Sequence, residues 1–364
     1  MANAPVLAFV IVSVALAFSG TAAAREITVA PDSLAGALQE ALDREVSRLR
    51  VPGIQASVRV GRFTWSGVSG YQDLNRQHPL HPTDILRIGS VTKTFTAGVV
   101  LKLAERGLVN LDDPIARWLP DLPHAGKITV RHLLNHTSGL RNYTDDLWCL
   151  ARTLLFPKRV WQPADLVAVI HGKPLYFDPG TAHHYSNTNY VLLGLISEKA
   201  TGKPMVQLYR ELIFDPLGLR NTSFVPYEPT PERLVTGFER DLIPFGIQRI
   251  PPDNTAWPTG AYAAGAIVST SEDLRAWIDA LFTSDFLRPE TRVQMTRFVD
   301  ATDPDIPAQT GYGLGLRRLV VDGNELWGHT GTIPGFGAAA FHWPKADATL
   351  AVISNLSVFD SVSV

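Results

Sequence analysis

The spacing of apolar and polar positions divides the chain into helical and extended stretches. "DSLAGALQEALDREVSRLR" (Asp32 to Arg50) opens with a capping residue and repeats apolar positions at three and four, predicting an amphipathic helix that needs a surface to pack on. "IQASVRV" and "FTWSGVSG" alternate on either side of Gly61-Arg62 and predict the hairpin that supplies it. From Val91 to Leu103 the spacing is helical, and "TVRHLLNHTSGL" predicts a helix ending at Gly139. "YVLLGLISEKATG" and "LYRELIFDPLGL" continue the helical run. From Tyr312 onward "YGLGLRRLVV", "NELWGHTG", "GAAAFHW" and "ATLAVISN" are short β-type runs separated by "DGN", "TIPGFG" and "PKAD". Consecutive strands joined by such short turns pair antiparallel. The expected fold is α/β (α+β): an antiparallel sheet built from both ends of the chain, flanked by helices, with a large all-helical region inserted. Residues 25–94 and 245–364 make the discontinuous sheet domain, residues 95–244 the mainly helical one, and the active site is expected at their junction.

The N-terminus adds a destination. "PVLAFVIVSVALAF" (Pro5 to Phe18) is shorter than the roughly 20 residues a spanning helix needs, and "TAAAR" offers a cleavage site after Ala24. Residues 1–24 therefore read as a secretory signal peptide and the protein as secreted, without stable membrane insertion after cleavage. "MANAP" lacks Lys and Arg, so an uncleaved anchor stays open as the alternative.

Composition narrows the partners. With 33 Lys+Arg against 35 Asp+Glu the net charge is −2, and no basic stripe offers a footprint for nucleic acid. The single cysteine, Cys149, cannot form an intramolecular disulfide and reads as a small buried apolar residue. His183-His184 and "HPLHP" lack the spacing of a zinc site, His136 in "NHTSGL" reads as a structural turn residue, and "GYGLG" lacks the following helix a dinucleotide site requires. No Gly-x-Ser-x-Gly elbow is present, which disfavours an α/β-hydrolase. Neither a metal nor a cofactor is expected, and a monomer is.

The candidate chemistry starts at "RIGSVTKTF". Ser90 follows a turn glycine and precedes helical spacing, so its hydroxyl falls at a helix N-terminus with Lys93 one turn on, on the same face. A serine hydroxyl becomes nucleophilic when a base takes its proton, and an amine held neutral by desolvation and by the helix dipole suits that task. An N-cap serine beside a solvated lysine is the structural alternative. Two further triplets bear on the choice: Tyr185-Ser186-Asn187 in "HYSNTNY" and His329-Thr330-Gly331 in "LWGHTGT", the latter on a predicted strand.

The order Ser-x-x-Lys, Tyr-x-Asn, [His/Lys]-Thr-Gly in these contexts resembles the serine β-lactamase and penicillin-binding superfamily, specifically its class C-like branch. The likeness is nearest to the soluble, secreted D-alanyl-D-alanine carboxypeptidase/transpeptidase. "RIGSVTKTFTA", "ITVRHLLNHTSGL", "YSNTNYVLLGLISEKATG", "AAGAIVSTSEDL" and "YGLGLRR…GHTGT" look like that family's segments in the same order. The resemblance implies a β-lactamase/transpeptidase-like fold with Ser90 acylated, Lys93 its partner and Tyr185 a proton relay whose pKa a protonated Lys93 would lower. It implies that Asn187 contacts Lys93 and the substrate amide, and that the N–H groups of Ser90 and Thr332 form an oxyanion hole. His329, Thr330 and Gly331 would edge the pocket as a strand to which an extended substrate adds, Gly331 leaving room for it. Arg317 would meet the terminal carboxylate of a D-Ala-D-Ala peptide, helped by the hydroxyls of Thr330 and Thr332; a surface arginine on a strand is the alternative. Arg318 is expected on the opposite face, solvated, and Trp257 lines the site or packs in the core.

His329 where class C β-lactamases carry lysine favours the peptidase. Relatives close the fold with a long helix after the last strand, and with the chain as given stopping at Val364 one sheet face is expected partly exposed. The implied function is a penicillin-sensitive D-alanyl-D-alanine carboxypeptidase acting on peptidoglycan stem peptides, with a peptidoglycan peptide or a β-lactam as ligand. A β-lactamase, esterase or D-amino-acid peptidase of the same fold, or a non-catalytic penicillin sensor, are the alternatives.

Overall fold

The computed structural model describes residues 31–240 and 246–357. The signal peptide expected over residues 1–24 lies outside them. Eight strands form the main sheet: β1 (Gly53–Val60), β2 (Phe63–Gly70), β3 (Val299–Asp300), β4 (Gln309–Tyr312), β5 (Arg317–Val321), β6 (Asn324–Ile333), β7 (Phe336–Trp343) and β8 (Ala348–Ser354). Their order is β2-β1-β8-β7-β6-β5-β4-β3, and every neighbouring pair is antiparallel. The two ends of the chain meet in the middle of it, from Ile54 opposite Ser354 to Val60 opposite Ala348. Two-residue links, Gly61-Arg62, Asp322-Gly323 and Pro334-Gly335, fix the hairpin registers, as the short turns in the sequence predict.

Helix α1 (Pro31–Leu49) lays Leu34, Leu38 and Leu42 on the outer face of the sheet, in one cluster with Ile54, Val58 and Leu350. On that face Leu326, Phe341 and Leu350 are buried, so the expected exposure is not seen at these positions. The other face carries the larger core, which joins α2 (Thr92–Glu105), α3 (Asn187–Thr201) and α4 (Ser271–Thr283) to Ala338, Ala340 and Ile353 of the sheet. Apolar residues occur all around α2, so it runs through the interior instead of lying on it. Trp277 of α4 stacks on Phe95 with centroids 4.5 Å apart and donates from Nε1 to Thr94 Oγ1 at 2.7 Å, fixing the rotation of α2 and hence the direction of Lys93. Gln55 of β1 is buried and fully used: it donates to the carbonyls of His81 and Asp84, both at 2.8 Å, and accepts from the Ser271 N–H. It ties the sheet to α4 and to the loop that leads into Ser90.

Two helical expectations are corrected. The helix from Val130 stops at Leu134, well before Gly139, because His136 adopts a left-handed backbone (φ 60°) that ends the helical run. "LYRELIFDPLGL" divides into Met205–Tyr209 and a π-helical turn, Arg210–Phe214. Among the described residues no helix is long and apolar enough to cross a membrane.

Candidate active site

Ser90 lies in a 3-10 turn, Gly89–Val91, that runs directly into α2. Gly89 has φ +49°, and a Cβ there would fall 2.8 Å from the Thr332 backbone. Gly331 is tighter: a Cβ would fall 2.0 Å from the Ile88 carbonyl oxygen. The absent side chain at Gly331 therefore makes room for the Ser90 turn, not for substrate as the sequence reading has it. β5 pairs with β6 only as far as Gly328, so from His329 to Ile333 β6 pairs with β7 alone and keeps one edge for a further strand.

Lys93 is wholly buried. Its Nζ lies 2.9 Å from Ser90 Oγ, 2.7 Å from Asn187 Oδ1 and 2.9 Å from the Ala264 carbonyl oxygen. Burial, and then the charge of Arg317, hold its pKa well below the ordinary lysine value, which favours the neutral amine. A neutral amine has two N–H bonds and one lone pair. The amide and peptide oxygens can only accept and take both hydrogens, so the lone pair is left facing the serine hydroxyl.

Tyr185 presents the opposite case. Its side chain is half-buried, but the hydroxyl is sealed from water and has no partner in hydrogen-bonding geometry. Burial pushes its pKa up to about 12, against the opposing pull of Arg317 and Ser90. The expected sign is thus reversed: a neutral Lys93, 4.8 Å from the ring centroid, does not draw a proton off the phenol.

Arg317 is buried, its guanidinium 4.9 Å above the Tyr185 ring. Nη1 donates to Asp303 Oδ2 at 2.8 Å and to Gln309 Oε1, while Nε has no partner. Burial alone would lower its pKa; Tyr185, Asp303 and Tyr312 outweigh that and raise it. Arg318 is not merely solvated: it bonds Thr310 through Nε at 3.1 Å and lies over Phe298. His329 turns into the interior, Nδ1 against the Thr330 carbonyl and Nε2 2.8 Å from Tyr312 Oη. A carbonyl cannot donate, so Nδ1 carries the proton and the Tyr312 hydroxyl donates to Nε2.

A cavity of about 150 Å³ opens beside Ser90. Asn187, Trp257 and Thr332 line it as expected, together with Tyr143, Cys149 and Leu150, and no charged residue is among its walls. Thr330 is buried outside these walls. Cys149 is buried as the sequence suggested, yet it also faces the cavity, its thiol pushed up by burial to about 11. Asp303, Gln309 and Tyr143 sit in no motif and carry no sequence signal. His136 does have one, its place in "NHTSGL", which by itself indicates only a turn. No cluster suited to a metal ion occurs among the described residues.

An antiparallel sheet in which early and late strands pair, with a buried lysine on the helix that Ser90 leads into and a tyrosine and a Thr-x-Thr strand nearby, is the arrangement of the serine β-lactamase and penicillin-binding superfamily. The chain belongs to the Beta-lactamase family, whose model matches residues 37–362. It is 30% identical over 297 residues to a penicillin-binding protein of Bacillus subtilis, covering 79% of this chain and 64% of that one. To a D-aminopeptidase of Cereibacter sphaeroides it is 32% identical over 324 residues, covering 87% and 59%. The chain thus spans about three fifths of the length of these curated relatives. The solved D-amino acid amidase of Ochrobactrum anthropi SV3 superposes with a TM-score of 0.81 at 32% identity, covering 90% of this chain and 93% of that one.

Proposed function

We propose that the protein is a serine acyl hydrolase that works through an acyl-enzyme on Ser90. The observation that carries this reading is the buried Lys93 Nζ, 2.9 Å from Ser90 Oγ. Lys93 takes the hydroxyl proton as Oγ bonds to the substrate carbonyl carbon, and the N–H groups of Ser90 and Thr332 receive the oxyanion. Tyr185 gives its proton to the departing nitrogen or oxygen as that bond breaks, and the ammonium of Lys93 returns one to the phenolate. Water, activated by the same pair, then releases the acid.

The uncharged cavity walls suit an apolar side chain on the acyl group. Its volume is that of a cavity able to take a benzene ring. Amides and esters of apolar D-amino acids are the substrates this favours, in keeping with the amidase and aminopeptidase to which the chain is similar. A second reading, the D-alanyl-D-alanine carboxypeptidase acting on peptidoglycan and blocked by penicillin, rests on Arg317, a fixed positive charge over Tyr185. It requires the substrate carboxylate to compete with Asp303 and Gln309 for that guanidinium. A leader that directs secretion would place either activity outside the membrane, where D-residues of the cell wall are met.

Turnover of a D-phenylalanine amide, a nitrophenyl ester, a D-Ala-D-Ala peptide and penicillin, with mass spectrometry of the protein after brief exposure to each, tests both readings. A transient adduct on Ser90 with amide and ester turned over is expected. Peptide cleaved faster than amide would favour the carboxypeptidase, and a permanent adduct without turnover a penicillin sensor. An unmodified protein with every substrate sinks the mechanism.

A further inference from the structure

His136 grips the Tyr185 segment on both sides. Its carbonyl accepts from the His184 N–H at 3.0 Å, and its Nδ1 accepts from the Ser186 N–H at 3.2 Å. These are the residues just before and just after Tyr185, and the left-handed backbone of His136 (φ 60°) accompanies both contacts. Asn189 Nδ2 donates to the same Nδ1 at 3.0 Å, held in that orientation by Ser138 Oγ, which donates to Asn189 Oδ1 at 2.7 Å. A backbone N–H can only donate, so Nδ1 is bare and the proton sits on Nε2. Nε2 is buried without a hydrogen-bond partner. The ring lies 4.4 Å from that of Tyr185 and meets Tyr312 nearly edge-on, at 4.7 Å and 71°.

We infer that His136 is a positioning residue for Tyr185, an inference that rests on the hydrolase reading and adds to it a residue outside the cavity walls. Its two bonds to the flanking N–H groups fix the path of residues 184–186. Its ring, packed 4.4 Å from that of Tyr185, holds the phenol from one side while those bonds hold the backbone. The other groups facing His136 are Lys93, His183, Tyr190, Tyr312, Arg317 and His329. Burial holds its pKa well below the ordinary histidine value, so it acts through its two hydrogen bonds and its ring, with no net charge.

The test uses the variant His136→Ala, which loses the Nδ1 acceptor and the ring, with His136→Asn, whose amide oxygen can replace Nδ1, as a partial rescue. An amine leaving group needs the proton of Tyr185 and nitrophenolate does not. The variant should therefore lose about ten-fold or more in kcat on the amide, with KM and the nitrophenyl ester rate little changed. In a Tyr185→Phe background it should add nothing further. Equal loss on both substrates, or an effect additive with Tyr185→Phe, overturns the inference. If the wild-type protein turns over neither substrate, the hydrolase reading fails by itself. Positioning is then decided by the crystal structure of His136→Ala, in which the Tyr185 ring is expected to move; an unmoved ring overturns it.

Discussion

Lys93 Nζ and the Tyr185 hydroxyl are sealed from water in the same site, but the amine has three close oxygen partners and the phenol has none. Burial acts on both by penalising charge. It drives the lysine pKa down and the tyrosine pKa up, favouring the free base for one and the undissociated acid for the other. Hydrolysis needs that division: a proton must leave the nucleophile and another must reach the leaving group. The two neighbourhoods also differ in what they fix. The amine is oriented by oxygens from α3 and from the Ala264 peptide, whereas the phenol is held through its flanking backbone and its ring, which leaves its oxygen uncommitted until substrate arrives.

The severest way to break the comparison is to remove the base. Lys93→Ala should reduce kcat by about 10²- to 10⁴-fold, and Lys93→Arg should not restore it, because a guanidinium never becomes neutral. Single-turnover acylation of Ser90 reads this, and an active Lys93→Arg enzyme would remove the base role. Removing the acid should cost less and be substrate-dependent. Tyr185→Phe is expected to slow amide hydrolysis by about 10²-fold and the nitrophenyl ester far less. Since the lost hydroxyl has no partner, thermal unfolding should show stability unchanged or raised by up to about 1 kcal/mol. A large fall in melting temperature would mean the hydroxyl is bonded after all.

The pH profile sharpens the same contrast. Lys93 titrates well below its ordinary value, so kcat should rise with pH and level off once the amine is neutral. Tyr185 titrates at about 12, so no descending limb is expected before pH 10. A bell with a fall near pH 8 in a stopped-flow ester assay would contradict the assignment. The smallest effect concerns the leaving-group side. Asp303→Asn frees the Arg317 guanidinium from its carboxylate and should raise kcat/KM on a D-Ala-D-Ala peptide relative to the amide by about two- to ten-fold. An unchanged ratio would show that Arg317 does not meet the substrate.

Local periodicity carried much of the fold. The first helix, the hairpin at Gly61-Arg62 and the late strands follow from nearest-neighbour preferences and turn chemistry, and they are present. Where a helix depends on what it packs against, periodicity misleads, as at Leu134, where the turn at His136 cuts the run short. The site divides in the same way. Ser90 and Lys93 are legible because three residues of helical backbone already bring them together. Asp303 and Gln309 around Arg317, Cys149 in the cavity wall and His136 beneath Tyr185 are not, since each acts across a distance the chain spans only after folding.

The sequence alone determined that a hydroxyl and an amine share one helical face, that a tyrosine-asparagine turn and a threonine strand follow in fixed order, and that consecutive strands joined by short turns pair antiparallel. These are properties of neighbouring residues and of short connections. Tertiary structure decided which of those groups is charged, because charge depends on how much water and how many partners remain around an atom, and no local pattern encodes that. It also decided that Gly331 accommodates a turn of the protein and that Arg317 is already paired, since both depend on surfaces brought together from segments more than two hundred residues apart or across separate strands.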